Sequence, residues 1–359
     1  MSERPSVMFV SRKWPPAMGG METYSKELSD ALRRYAEVET LALPGRSDGS
    51  VPGKGALLWF GLRAAIRLFC ARSPAKITHV ADMASWPLAL CARIRSPRGR
   101  RVLSAHGTDV AYPLRGGAKG RIYGSYLRLG ARCLGHVTVI ANSEATAKAA
   151  NRYGFHDTLV VPLAAEVTAG APSSPGKSLL FSGRLVPRKG LAWFVREVLP
   201  LLPDTMTLDV AGTVWDTAEA AALDHPRVRH LGRLDQAELW CTYASAVCVI
   251  VPNIDVPNGE FEGFGLVALE AAAAGGIVLA SHHSGLKEAV LDGQTGFHIT
   301  PGDPRAWADK IMEIASWDDA QRSDFTGRAK DLCNRHFSWD RVATDTLSAY
   351  ASPRAGGTA

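Results

Sequence analysis

The sequence is poor in the features that mark a secreted, metal-stapled or membrane-spanning chain. Its six cysteines, at positions 70, 91, 133, 241, 248 and 333, form no Cys-x-x-Cys pair. Neither a zinc ribbon nor a disulfide scaffold is therefore expected, and scattered thiols fit a reducing cytosol. Gly263 to Ala280, the longest apolar stretch, contains Glu270 and several glycines, and Leu57 to Ala71 carries Arg63 and Arg67. A spanning helix needs about 20 mainly apolar residues and tolerates a central arginine poorly. The opening MSERPSVMFVSRKWPP has too short an apolar run for a signal peptide. No strand pattern is followed by Gly-x-Gly-x-x-Gly, which disfavours a Rossmann dehydrogenase. No short-period repeat is visible, which disfavours solenoids and propellers. Helix-turn-helix, zinc and aromatic-basic RNA signatures are missing, so nucleic acid is not an expected partner.

What is present is a chain of 359 residues with ordinary globular composition, 46% hydrophobic and 21% charged. At roughly 150 residues per domain, two domains are expected. The net charge of +6 divides into +13 over residues 1–165 and −7 over 166–359. A basic half and an acidic half suggest different partners.

The element pattern supports the division. Val7–Val10 reads as a strand, followed by a Pro/Gly loop to Met18, a helix from about Glu22 to Tyr35, and a strand over Val38–Ala42. Strand, glycine loop, helix and strand make a Rossmann-type unit. Ile77–Val80, Arg101–Ser104, Val137–Ala141 and Thr158–Val161 continue it. Residues 166–177, rich in Pro, Gly, Ser and Ala, read as a linker. The pattern restarts at Leu179–Ser182, with a helix from about Leu191 and strands over Met206–Ala211, His230–Leu231 and Val247–Val251. A helix over Phe264–Ala274 follows, then strands at Ile277–Ser281 and Gly296–Ile299. The expected layout is an N-terminal domain at 1–165, a C-terminal domain at 178–336, and a terminal helix and tail at 337–359, the helix spanning Phe337 to Tyr350.

Two blocks carry the chemistry. The first is Glu262-Gly-Phe-Gly-Leu-Val-Ala-Leu-Glu270. Gly263 and Gly265 let backbone N–H groups approach a ligand, and a helix beginning there offers donors and dipole to a phosphate. A helical rise over the block would separate the carboxylates by about 12 Å. That is wider than the roughly 5–10 Å of a glycosidase pair, but it matches the two ends of a nucleotide-sugar. A solvated role for Glu270 is hard to arrange inside its apolar run. The second block, Ser182-Gly-Arg184-Leu-Val-Pro-Arg188-Lys189-Gly190, follows a strand. Its cations suit the charge of a leaving diphosphate.

With these blocks the chain resembles the retaining glycosyltransferases of family 4, also called group 1, over about residues 5–335. Gly19-Gly20-Met21-Glu22, Ala105-His106-Gly107-Thr108-Asp109 and Ala141-Asn142-Ser143 extend the match. The resemblance implies an α/β, GT-B fold of two facing Rossmann-like domains with a central cleft. It implies hexose transfer from a UDP- or GDP-sugar, with retention, to a hydroxyl of a lipid-linked or polysaccharide-precursor acceptor. Arg184 and Lys189 would bind the diphosphate, Glu262 the sugar hydroxyls and Glu270 the ribose. Gly263 and the backbone from Phe264 through Gly265 and Leu266 to Val267 would touch sugar and phosphates. Gly19 and Gly20 would let the first loop approach the phosphate, and His106 would position the transferred sugar. No cofactor or metal is implied, consistent with the lack of an Asp-x-Asp pair.

Plainer readings stand beside these. His106 could be a satisfied loop histidine and Glu22 a helix cap. His282-His283 is not expected to chelate a metal. Trp14, Trp59, Trp86 and Trp193 read as packing residues. Leu57 to Arg72 reads as an amphipathic helix with Arg63, Arg67 and Arg72 near one face. Further cations follow at 93–101 and 115–132. Such a surface suits an anionic cytoplasmic leaflet, at about 1 kcal/mol per cation. The expected location is therefore cytoplasmic, with peripheral binding to the inner membrane face left open. A soluble acidic acceptor and a nucleotide-sugar epimerase remain as alternatives.

Overall fold

The computed structural model describes residues 4–17, 19–71, 74–165, 167, 176 and 178–352. The expected linker lies almost wholly outside them, as do Arg72 and the tail beyond residue 352.

Residues up to Leu163, joined by the chain from Trp339 onward, form one compact unit, and Ala164–Ser338 form another. The first holds strands β1 (Ser6–Trp14), β2 (Glu37–Pro44), β3 (Ile77–Val80), β4 (Arg100–Ala105), β5 (Thr138–Ala141) and β6 (Thr158–Val160). All pair in parallel, in the order β2-β1-β3-β4-β5-β6. Its longer helices are α1 (Gly20–Leu32), α2 (Lys54–Phe69), α3 (Trp86–Arg95), α4 (Gly117–Leu134) and α5 (Glu144–Asn151). The inner strands are almost wholly buried, as parallel strands covered on both faces must be.

The second unit repeats the plan. Its strands are β7 (Ser178–Ser182), β8 (Thr207–Ala211), β9 (Val228–Gly232), β10 (Val249–Val251), β11 (Val278–Ser281) and β12 (Phe297–Ile299). They are parallel in the order β12-β11-β10-β7-β8-β9. Helices α6 (Gln236–Ser245), α7 (Leu266–Ala273), α8 (Pro304–Ala315) and α9 (Asp319–His336) accompany them. Trp307, Phe181 and Phe194 sit fully buried in one core with Leu179, Leu208 and Ile250.

Helix α10 (Trp339–Ala351) belongs to the first unit. Its buried face carries Trp339, Val342, Ala343, Thr346, Ala349 and Tyr350. The Tyr350 hydroxyl bonds His79 Nδ1 at 2.6 Å, His79 Nε2 bonds Ser104 at 2.7 Å, and Ser104 bonds the Tyr24 hydroxyl at 2.8 Å. Complete burial depresses the His79 pKa to about 3, so the imidazole stays neutral in this chain.

Several boundaries differ from expectation for local reasons. The helix expected from Leu191 is regular only to Trp193, then widens over Phe194–Val198 and ends in a tight turn at Leu199–Leu201. Pro200, without an N–H, cannot continue the ladder. The last helix starts at Trp339 rather than Phe337 because α9 runs on to His336. Trp59 is not a packing residue: it is 67% exposed.

Candidate functional site

In the second unit the strand order reverses between β7 and β10. In open α/β sheets, ligands settle at the carboxyl ends of strands beside such a reversal. Both motif blocks leave the sheet there. The loop after β7 turns at Pro187–Lys189 and passes through Gly190 in the left-handed region, φ 72°. A Cβ on Gly190 would lie 2.2 Å from the Pro252 carbonyl oxygen, so only glycine lets the two loops close up. The Ile254 N–H then donates to the Arg188 carbonyl at 3.1 Å.

This approach assembles a buried charge cluster. Glu262 Oε2 receives Lys189 Nζ at 2.6 Å, Arg188 Nη1 at 2.6 Å and Asn253 Nδ2 at 3.1 Å. The three charged side chains are only 9–13% exposed. Among the described residues no hydrogen bond or ion pair reaches Glu262 Oε1, and the buried Asn253 Oδ1 also has no partner. Burial pushes the Glu262 pKa up, but Lys189 and then Arg188 outweigh it and hold the carboxyl well below its usual range. Burial lowers the Lys189 pKa, partly offset by Glu262. Glu262 is thus an anion with one oxygen committed and the other available to a hydroxyl.

The glycines shape the helix end. The chain between Glu262 and Gly265 is not helical, so the continuous-rise spacing of the two carboxylates does not apply to its first residues. Gly265 has φ 96°, and a Cβ there would meet Leu286 Cδ2 at 2.4 Å. Helix α7 starts immediately after, with the first-turn N–H groups of Leu266 and Val267 at its amino end. Gly263 and Phe264, just before it, are buried. Glu270, one turn on, is half-buried, and burial raises its pKa to about 7, opposed by Lys189. Lys189 therefore feels both carboxylates. Tyr243, whose hydroxyl donates to Ser182 Oγ at 3.1 Å, is held protonated by burial and by Glu270.

Arg184 lies farther out. Its guanidinium sits over the Trp215 ring at 5.2 Å, and its charge lowers the Lys189 pKa less than burial or Arg188 does. Trp215 is 66% exposed. Arg188 holds the inner place beside Lys189, both of them on Glu262.

The N-terminal candidates stand in the other unit. Gly20 opens α1, and Gly19 precedes it in extended backbone. Glu22 does not merely cap this helix: it is buried and pairs with Lys13 at 3.2 Å. His106 follows β4. Its Nε2 donates to the Ala81 carbonyl at 2.9 Å, which places a proton on Nε2. The Tyr24 ring meets the imidazole edge-on at 4.5 Å. The His106 amide donates to Asp109 Oδ1 at 2.9 Å. The His282 ring lies tilted against that of His298, with centroids 4.7 Å apart, and among the described residues no three His, Cys, Asp or Glu side chains converge on a metal site.

Along the sequence, Asn253 to Glu260 reads as an Asn/Pro/Gly-rich loop that tunes sugar choice, but the contact of Asn253 with Glu262 and the inner role of Arg188 were not legible. Nothing along the chain marked Tyr243.

Comparison with known proteins agrees with both halves. Residues 18–165 match the model described as Glycosyltransferase Family 4, and residues 176–316 match that of Glycosyl transferases group 1. Glycogen synthase of Mycobacterium tuberculosis is 27% identical, covering 98% of this chain and 95% of its own length. D-inositol 3-phosphate glycosyltransferase of a Nocardioides species is 33% identical over 49% of this chain and 42% of its own length. Anabaena HepE, solved with UDP and glucose, superposes with TM-score 0.72 at 18% identity, over 98% and 100% of the two chains. Sucrose-phosphate synthase from Thermosynechococcus elongatus gives 0.73 at 19% identity, over 97% and 98%. These similarities establish the fold as the GT-B type of two parallel α/β sheets.

Proposed function

We propose a specific reaction for this chain, which belongs to the family 4, group 1 glycosyl transferases: transfer of a hexose from a nucleoside-diphosphate sugar to an acceptor hydroxyl with retention of configuration. The carrying observation is Glu262, with Oε2 taken by Lys189, Arg188 and Asn253 and Oε1 open. Oε1 accepts a hydroxyl of the donor sugar. Lys189, Arg184 and the amino end of α7 hold the diphosphate, whose charge grows as its bond to the anomeric carbon breaks. Glu270 accepts from the ribose, and His106 positions the sugar through Nδ1. The acceptor oxygen bonds to the anomeric carbon on the face the phosphate leaves, and its proton passes to the departing phosphate oxygen. Neither cofactor nor metal takes part. The nucleotide is UDP or GDP. The UDP in HepE and the names of the glycogen synthase and inositol-phosphate relatives support a nucleotide donor and a hydroxyl acceptor.

For the acceptor, those relatives' names favour soluble molecules, but one observation favours a lipid-linked one. Helix α2 turns Phe60, Ala64 and Leu68 inward and leaves Leu58, Trp59, Leu62, Ile66 and Phe69 each more than half exposed. Between residues 49 and 108 the sequence has ten Lys and Arg and a single acidic residue, Asp82. An apolar row ringed by cations fits an anionic bilayer surface. The protein then works on the cytoplasmic side, peripherally bound, in polysaccharide or glycolipid assembly. Among the described residues no helix is long and apolar enough to cross a membrane.

The donor assignment is tested by thermal shift with UDP, GDP, ADP and dTDP. One nucleotide should raise the melting temperature by mass action. Lys189→Ala and Arg184→Ala should each abolish the shift; a shift that survives both variants refutes the diphosphate assignment.

A further inference from the structure

We propose that the carboxyl edge of the N-terminal sheet carries a subsite for an uncharged, hydroxyl-rich glycosyl or polyol group, built on Arg12, Asp82, Tyr123 and Tyr126. The proposal rests on the transferase reading above, in which this group belongs to the acceptor.

Strand order in this sheet reverses between β1 and β3, the position where open sheets bind ligands. Val10 lies opposite Val80, so Arg12 and Asp82, each two residues further on, come together. Arg12 Nε donates to Asp82 Oδ1 at 3.0 Å. Asp82 is buried and also accepts the Ser85 amide and hydroxyl, at 3.1 and 2.9 Å. The Arg12 side chain is 31% exposed, and among the described residues its two terminal nitrogens have no partner. Beside it, buried Asp109 takes the amides of His106 and Met83, at 2.9 and 3.2 Å.

Tyr123 and Tyr126 project from α4 at this edge. The Tyr123 phenol is half-buried and has no hydrogen-bond partner among the described residues. Burial, and then Asp109 and Asp82, keep it protonated, so it stands ready to donate. The Tyr126 ring stacks on it at 5.9 Å, and the Tyr126 hydroxyl is tied to the Ala84 carbonyl at 2.7 Å. Two open guanidinium nitrogens, a protonated phenol and an aromatic wall suit the hydroxyls and the C–H face of a sugar ring. The charge balance disfavours a phosphate. Arg12 and Lys13, the cations at this strand end, already face Asp82 and Glu22, at 3.0 and 3.2 Å. An entering phosphate would meet buried carboxylates.

Saturation-transfer NMR on the full chain with UDP tests this, using a panel of methyl glycosides, myo-inositol and an inositol phosphate as probes. At least one neutral probe should show ring-proton saturation. That signal should fall at least fivefold in Arg12→Gln and in Tyr123→Phe, with the UDP signals unchanged. The proposal is overturned if no neutral probe saturates, if the signal survives both variants, if the UDP signals fall in parallel, or if inositol phosphate saturates more strongly than myo-inositol. Absence of both UDP and GDP signals in the unsubstituted protein would instead refute the transferase reading.

Discussion

Two glutamates of one motif carry opposite electrostatic characters because their neighbours differ. Glu262 is held anionic by Lys189 and Arg188, and Glu270 is driven toward neutrality by burial. Their linkage to stability therefore has opposite sign. Glu270 takes up its proton in the folded state at about pH 7, above its ordinary 4.5. Its contribution is fully present below pH 4.5 and is lost as pH rises through about 7. Glu262 contributes above its ordinary value, and its share is lost as pH falls below 4.5. In urea titrations, Glu270→Gln should flatten the decline in midpoint between pH 5 and 8; a decline of unchanged slope would assign it to another group. Lys189→Met removes one partner of a buried carboxylate. Such losses cost about 3–5 kcal/mol, and the remaining Arg188 should hold this one near the low end, read as a reduced urea midpoint. At this scale the motif letters were legible, but the charge state of each glutamate was not. That of Glu262 depends on Lys189, Arg188 and Asn253, brought in by the approach of two loops, and that of Glu270 on its burial.

Elements carry the next set of expectations. The left-handed Gly265 abuts Leu286 and sets the start of α7. Gly265→Ala should cost about 1–3 kcal/mol from backbone strain alone and weaken nucleotide binding in the same protein. Retained stability together with retained binding would show that this turn does not shape the site. Helix α2 was readable as amphipathic from its sequence, but not its orientation. Residues 58–69 are apolar around most of the helix, and only the neighbouring helix α3 and the sheet decide which apolar row is covered. Leu62 and Ile66 are 54% and 55% exposed, so Leu62→Ser with Ile66→Ser should leave the melting temperature within a few degrees. The pair should abolish flotation with anionic vesicles. Flotation equal to that of the unsubstituted protein would remove α2 from the membrane reading.

For the molecule as a whole, charge and chain path matter. The +13 half should make vesicle binding sensitive to salt, since the Debye length falls to about 8 Å at physiological ionic strength. Binding that persists undiminished at 1 M salt would mean that apolar insertion alone holds the protein. The return of α10 onto the first unit places Tyr350 in the buried chain with His79, Ser104 and Tyr24. Tyr350→Phe should cost about 1–3 kcal/mol by leaving His79 Nδ1 unpaired, measured as a lowered urea midpoint. An unchanged midpoint would show that the hydroxyl adds nothing.

The sequence by itself determined two α/β halves, their strand–loop–helix rhythm, the charge asymmetry, and which loops carry Glu262, Lys189 and His106. Those properties reside in periodicity and short spacing, which neighbouring residues settle among themselves. Tertiary structure alone decided that Arg188, not Arg184, lies against Glu262. It also decided that Arg12 meets Asp82, 70 residues away, that Trp59 faces outward, and that the C-terminal helix closes the first unit. Each of those outcomes depends on which strands lie side by side. That order is set by burying all the apolar faces at once, a condition no single segment of the chain contains.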